Sequence, residues 1–368
     1  MAASRPIGFA VVGLGQLAQA AVLPAFARAK RHARLVALVS QTEEKRSRLA
    51  AAYRVPHAFS FEQLDACLAH PDVEALYVAL PNALHAQVTE RAARAGVHVL
   101  CERPMATSEE ECRAMISACR EAEVRLMIAY RSHFDRATLA MLEAAQSGGL
   151  GEPRLYSAEF GYPLGVGAAR AQRGVGSGVA WDAGISCINS ARLLFGDEPV
   201  EVTAFSGAGS DRRSKETSEA IAVILRFPDD RLATFVCSHR VSPVSALRLV
   251  GEHGELRMEN PFQYAADRVL RLRTEAGQRV RRFAAHDQFA AELVAFARAV
   301  RKGVEPEPSG EEGLADVRVV RAVLESAQSG RAVQLEPFAR SHRPHPEQAI
   351  STPRLKAPRA EPAPATPT

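Results

Sequence analysis

The stretch Ile7-Gly8-Phe9-Ala10-Val11-Val12-Gly13-Leu14-Gly15-Gln16-Leu17-Ala18 decides the fold of this chain. Its first six residues are an apolar run of the kind that forms a buried strand. A tight glycine turn follows at once, and Ala20 to Ala29 continue as an alanine-rich helix. Strand, glycine turn and helix in that order are what a dinucleotide site requires. Gly13 makes the turn, Gly15 lets the backbone reach a pyrophosphate, and Ala18 lets helix and strand pack closely. The helix N-terminus adds free N–H groups and the positive end of its dipole. Gly13, Gly15, Gln16 and Leu17 are the expected cofactor contacts. The competing reading is a purely structural turn, because Gly-x-Gly is common.

Working outward, strand patterns at 7–12, 35–40, 75–80, 97–101 and 125–130 alternate with helical patterns at about 16–30, 43–54, 61–69, 84–95 and 108–122. Such alternation with short connections predicts a doubly wound parallel sheet. Ligands then bind beyond the carboxyl ends of its strands, at loops 13–18, 40–46, 80–85, 101–107 and 130–135. After residue 135 the pattern changes. A helix near 136–147 precedes strands at 154–162, 200–206, 219–227, 231–239, 245–250, 255–259 and 268–273, with turn signals such as Pro228-Asp229-Asp230 between them. This predicts an α/β domain on a large, mostly antiparallel open sheet, with a helix at 180–195 on one face. The stripes Phe289, Leu293, Phe296, Val300 and Leu314, Val317, Val320, Leu324 predict two late core helices. The domains are read as 1–130, 131–337 and a Pro/Ala/Arg-rich tail, 338–368, expected to be disordered. The glycine-rich run 174–178 is read as backbone freedom near the site.

A chain of 368 residues with 47% hydrophobic and 24% charged residues suits a two-domain globular enzyme. No apolar run is long enough to span a bilayer, and a strand starting at Ile7 leaves no room for a signal peptide, so a cytoplasmic protein is expected. Of the net charge of +4, three units come from the tail, where Arg340, Arg343, Arg354, Lys356 and Arg359 face Glu347 and Glu361. The nearly neutral body excludes a nucleic-acid surface. Six scattered cysteines without a Cys-x-x-Cys pair read as buried thiols, and the eleven histidines show no metal-ligand spacing in the body.

The second strand speaks to the coenzyme. An NAD site puts a carboxylate at its tip, on the adenosine ribose. Here Leu35 to Val39 ends in Ser40-Gln41-Thr42, with Lys45 and Arg46 one turn later. Hydroxyls and cations suit a 2′-phosphate, which favours NADP over NAD. The alternative is that Lys45 and Arg46 only solvate a helix face.

Three further segments close strands: Leu80-Pro81-Asn82-Ala83-Leu84-His85, Cys101-Glu102-Arg103-Pro104 and Tyr130-Arg131-Ser132-His133. With Gly13-x-Gly15 and Trp181-Asp182-Ala183-Gly184, the chain resembles the Gfo/Idh/MocA oxidoreductases from about residue 6 to 335, most of all their glucose–fructose oxidoreductase branch. The resemblance implies an N-terminal Rossmann domain, a C-terminal α/β domain whose open sheet supports a homo-oligomer, and a nicotinamide ring held between them. It implies that Ser40, Lys45 and Tyr53 hold the adenosine end of NADP. Glu102 is assigned to the nicotinamide ribose, with capping as the alternative. Pro81, Asn82, His85 and Arg131 are placed beside the cofactor, with an Asx turn and N-cap as the alternative for Asn82 and His85. His133 is a candidate for facing the substrate.

Two departures bear on chemistry. The family's Glu-Lys-Pro is Glu102-Arg103-Pro104 here, and the His or Tyr four residues after Asp182 is Ser186. Histidine titrates near neutral pH, whereas a serine hydroxyl does not, and an arginine cannot pass protons on. The expected catalytic set is therefore Arg103 polarising a carbonyl, with Asp182, His133 or Tyr162 handling the proton beside Ser186. Carbonyl reduction suits this set better than alcohol oxidation. The function expected is an NADP-dependent oxidoreductase acting on a sugar or cyclitol. The alternatives are an inactive NADP(H)-binding sensor or partner protein, and a redox-neutral reaction on a tightly held cofactor. Asp182 could instead be only an N-cap.

Overall fold

The computed structural model describes residues 5–164, 176–207 and 218–353. Gly174 and Val175 of the glycine-rich run lie outside it, as do residues 354–368 of the tail.

The opening apolar run is β1 (Ile7–Val12), every residue of it buried. It lies inside a six-stranded sheet with β2 (Ala33–Val39), β3 (His57–Phe59), β4 (Ala75–Val78), β5 (His98–Glu102) and β6 (Leu126–Ala129). All pairs are parallel and the order is β3-β2-β1-β4-β5-β6, the doubly wound arrangement. Helices α1 (Leu23–Ala29), α2 (Glu43–Tyr53), α3 (Leu64–Leu68), α4 (His85–Arg94) and α5 (Glu109–Glu121) make the connections. The helix expected from residue 16 begins as a wider π-type turn over Ala18–Val22 before α1. β3 carries no apolar run, which is why periodicity does not show it.

The second sheet holds β7 (Pro153–Gly161), β8 (Glu201–Gly207), β9 (Ala220–Arg226), β10 (Leu232–Ser238), β11 (Val244–Gly251), β12 (Gly254–Glu259), β13 (Arg268–Thr274), β14 (Gly277–Phe283) and β15 (Val333–Gln334). Its neighbours are antiparallel except β7 and β10. Strand β14 reads Gly-Gln-Arg-Val-Arg-Arg-Phe and is almost wholly exposed, so it lacks the alternating apolar face that marks a half-buried strand. One face of the sheet is covered by α7 (Ile185–Phe195), which follows α6 (Arg136–Gln146) in the chain and whose Cys187 carbonyl accepts a hydrogen bond from Tyr156 at 3.2 Å.

Two long helices follow, α8 (Gln288–Lys302) and α9 (Gly310–Ser329). Helix α8 belongs by position to the second domain, yet Phe289, Leu293 and Phe296 enter the core of the first, with Phe296 and Phe26 both edge-on to Phe9. The segment 338–353, expected to be disordered, packs instead. Arg318 stacks on Phe338 at 4.5 Å, Arg340 pairs with Glu198 and Glu312, and Thr352 donates to the Asp287 carbonyl at 2.8 Å. Composition signals disorder only when a segment has nothing to bind. This one finds buried carboxylates of the body.

Candidate active site

At the adenosine end, Gly13 has φ +91°, and a Cβ there would lie 2.2 Å from the Ala79 carbonyl oxygen. No other residue fits that turn. A Cβ on Gly15 meets nothing within 4 Å, and Gly15 and Gln16 are exposed while Leu17 is half-buried. The turn is thus an open cradle of backbone N–H groups in front of a helix, which fits a pyrophosphate. At the tip of β2, Ser40 is half-buried and its carbonyl accepts from Arg46 Nη1 at 2.7 Å. That cation is folded onto the strand end rather than into solvent. Lys45 is half-buried on the first turns of α2, and Tyr53, its last residue, is 37% exposed.

Nearer the second domain, Pro81 is exposed and Asn82 donates through Nδ2 to the Gly176 carbonyl at 2.5 Å, a link between the domains rather than an N-cap. His85 is completely buried. Its Nδ1 and Nε2 each lie 2.9 Å from a carbonyl, those of Pro104 and Leu80. His85 therefore braces two site loops and does not reach a ligand, which corrects its assignment as a cofactor contact. Glu102 is 8% exposed and accepts from the Tyr77 hydroxyl at 2.7 Å.

Between the domains a pocket is lined by Arg103, Tyr130, Arg131, Ser186, Asn189, Phe262 and Gln288. Arg103 donates to the backbone carbonyl of Asp182 at 2.6 Å. Arg131 is half-buried and held by Gln288 Oε1 at 3.0 Å and the Phe262 carbonyl at 2.6 Å. Burial, then the nearby Arg103 charge, brings its pKa down to about 10, still cationic at neutral pH. Asp182 does not cap a helix, since Gly184 precedes α7. Its carboxylate is 3.2 Å from His239 Nε2 and accepts from the Tyr162 hydroxyl at 2.5 Å. The Tyr162 and His239 rings lie 5.3 Å apart.

His133 has no place in this set. It is fully buried, shares a hydrogen bond between Nε2 and Asn189 Oδ1 at 2.9 Å, and burial lowers its pKa to about 3. It sits behind the pocket wall as a neutral ring, so its expected role in proton transfer is withdrawn.

Sequence reading missed two groups. His239 arrives at Asp182 from the end of β10, and only the sheet register places it there. Glu292 is wholly buried on α8, one turn past Gln288, with neither carboxylate oxygen hydrogen-bonded, and burial beside Glu102 raises its pKa well above the ordinary carboxylate range. A glutamate inside the Phe289–Phe296 apolar stripe was the available signal. Among the described residues, the side chains of His57, His70 and Asp72 also come within 4.8 Å of one another, which histidine spacing did not reveal. Two of the three are engaged elsewhere: His70 Nδ1 takes the Asp72 N–H, and Arg34 holds the Asp72 carboxylate at 2.7 Å.

Comparison with known proteins places this architecture. Residues 7–130 match the model for the NAD-binding Rossmann fold of the Gfo/Idh/MocA oxidoreductases, and residues 138–257 match the model for the Gfo/Idh/MocA C-terminal domain. The chain belongs to the Gfo/Idh/MocA oxidoreductase family. Among Gfo/Idh/MocA relatives, it is 29% identical over 342 residues to a D-xylose 1-dehydrogenase [NADP(+)] of Haloarcula marismortui, covering 91% of this chain and 95% of that protein. The crystal structure of an aldose–aldose oxidoreductase from Caulobacter crescentus, solved with glycerol, superimposes with a TM-score of 0.83 at 36% identity, covering 90% of this chain and all of the other. KijD10, a 3-ketoreductase from Actinomadura kijaniata solved with NADP and TDP-benzene, gives 0.80 at 26% identity, covering 87% and 98%. No helix among the described residues is long and apolar enough to cross a membrane.

Proposed function

We propose that this Gfo/Idh/MocA protein is an NADP-dependent oxidoreductase acting on a sugar or cyclitol, with its acid–base chemistry moved off the usual position. The observation that carries the reading is the placement of a fixed cation, Arg103, in the same pocket as Ser186, with the Tyr162–Asp182–His239 cluster on the residue whose carbonyl Arg103 holds. NADP is supported by the open Gly15 cradle, the missing carboxylate beyond β2 and the Arg46 guanidinium on Ser40, together with the coenzyme named for the relatives. Gly13, Gly15, Gln16, Leu17, Ser40, Lys45 and Tyr53 hold its adenosine and pyrophosphate parts, and Pro81, Asn82, Glu102 and Arg131 surround its other end.

The coenzyme, when bound, supplies or accepts a hydride at the reacting carbon. Arg103 donates hydrogen bonds to the substrate oxygen and stabilises negative charge building there, which favours carbonyl reduction. Arginine keeps its proton, so the proton taken up by that oxygen comes from the Tyr162–Asp182–His239 cluster. Ser186 binds substrate without titrating. Protomers associate through the outer face of the second sheet, where Leu155, Phe205, Ile224 and Val236 are 51%, 69%, 46% and 53% exposed.

The test is NADPH and NADH titration by fluorescence, followed by turnover on a panel of aldoses, ketoses and keto-cyclitols. Tighter NADPH binding with turnover on one sugar class supports the reading. Coenzyme binding with no turnover on any member makes the chain a binding protein.

A further inference from the structure

Behind the pocket lies a buried charge cluster that the body of the protein does not balance. Arg192 is completely buried and bonds three carboxylates: Glu198 at 2.6 Å, Glu312 at 3.0 Å, and Asp316. Three negative groups on one guanidinium leave two charges uncompensated, a costly state away from water. The compensation comes from the C-terminal segment. Arg340, whose side chain is 2% exposed, reaches Glu198 at 3.1 Å and pairs with Glu312, and Arg343 lies 3.5 Å from Glu198. The segment is tied down at both ends. Arg318 donates to the Glu336 carbonyl at 2.7 Å and stacks on Phe338. Further along, Gln348 donates to the Glu307 carbonyl at 3.0 Å, and the Ile350 N–H to the Phe134 carbonyl at 3.3 Å.

The cluster reaches the pocket through Asn189 and through Tyr130, which also lines the pocket and stands beside Asp316. Asn189 lines the pocket three residues after Ser186 on α7. Its Nδ2 donates to Glu312 Oε1 at 2.6 Å and to Asp316 Oδ2 at 2.9 Å. Two carboxylates therefore fix which way the Asn189 amide faces, and hold α7 against α9. That arrangement requires both groups to stay in place as acceptors, and Arg340, paired with Glu312, offsets the negative charge gathered around them.

We propose that residues 336–353 form a strap that completes the active-site wall, and that Arg340 is a positioning residue for the substrate pocket, acting through Glu312 and Asn189. The proposal rests on the reading of that pocket as the sugar site. It assigns a task to a segment whose composition reads as a dispensable tail.

The experiment uses the full chain with Arg340→Met and Arg340→Lys. Hydrogen–deuterium exchange is followed across Ile185–Phe195, with NADPH affinity and the sugar KM measured alongside. Arg340→Met is expected to speed exchange in α7 and raise the sugar KM, each about tenfold, with NADPH affinity changed less than about twofold. Arg340→Lys keeps the charge and is expected to stay near the parent. Unchanged α7 exchange in Arg340→Met overturns the proposal, as does Arg340→Lys behaving like Arg340→Met, or coenzyme affinity falling as far as sugar affinity. Should Arg340→Met fail to fold, adding Glu312→Gln restores the balance and is expected to restore folding; no rescue overturns the proposal. If no sugar is turned over, the functional reading fails, while the exchange measurement still decides the strap.

Discussion

Ser40, at the tip of β2, is the residue on which the proposed preference for NADP is most directly tested. Ser40→Asp sets a carboxylate where the 2′-phosphate would lie and is expected to reverse the NADPH-over-NADH affinity ratio by about tenfold or more in fluorescence titrations. An unchanged ratio removes the argument from this strand. Behind the pocket, burial raises Glu307 to about 7 from an ordinary 4.5. A carboxyl raised in the folded state stabilises that state in acid, in full below 4.5, and loses the contribution as pH rises through 7. His133 works in the opposite sense: its contribution is present above 6.5 and is lost as pH falls toward 3. Glu307→Gln is therefore expected to be more favourable at pH 8 than at pH 5, by about 2–3 kcal/mol in urea unfolding; equal effects at both pH values contradict this. At this scale the sequence was only partly legible. Arg103 and Ser186 stood out as departures from a motif, and Asp182 as the member it retains. His239 and Glu292 did not, because β10 and α8 carry them to the site from far along the chain.

Elements were easier to read than residues. The apolar run of β1 and its glycine turn announce themselves, since a strand buried on both faces has no polar positions to hide it. Gly13→Ala tests the turn. It combines a left-handed backbone with the Ala79 carbonyl 2.2 Å from the new Cβ, and is expected to cost about 3 kcal/mol or more in chemical denaturation. Elements without an apolar face escaped notice: edge strand β3, the arginine-rich β14, and two-residue β15. The strap escaped for another reason. Its order depends on carboxylates of α9 and of the loop that follows α7, Glu312 and Glu198, and no local pattern in 338–353 encodes those partners.

For the whole molecule, two sheets and α8 set one pocket between them. Helix α8 brings Gln288 to the pocket and Phe296 to the first core, so pocket shape and the seating of the first domain are coupled through one helix. On the far side, the second sheet exposes Leu155, Phe205, Ile224 and Val236, the face proposed to join protomers. Phe205→Glu, on a side chain 69% exposed, is expected to shift the protein to monomer in light scattering while leaving folding intact; an unchanged mass places the interface elsewhere. The central claim is that proton transfer has left the Ser186 position for the Tyr162–Asp182–His239 cluster. The most direct measurement compares kcat for NADPH-dependent sugar reduction in Asp182→Asn and Ser186→Ala. The account predicts a loss of about 10²–10⁴-fold for Asp182→Asn and less than about tenfold for Ser186→Ala. Near-parental activity in Asp182→Asn, or an equal collapse in Ser186→Ala, would contradict it.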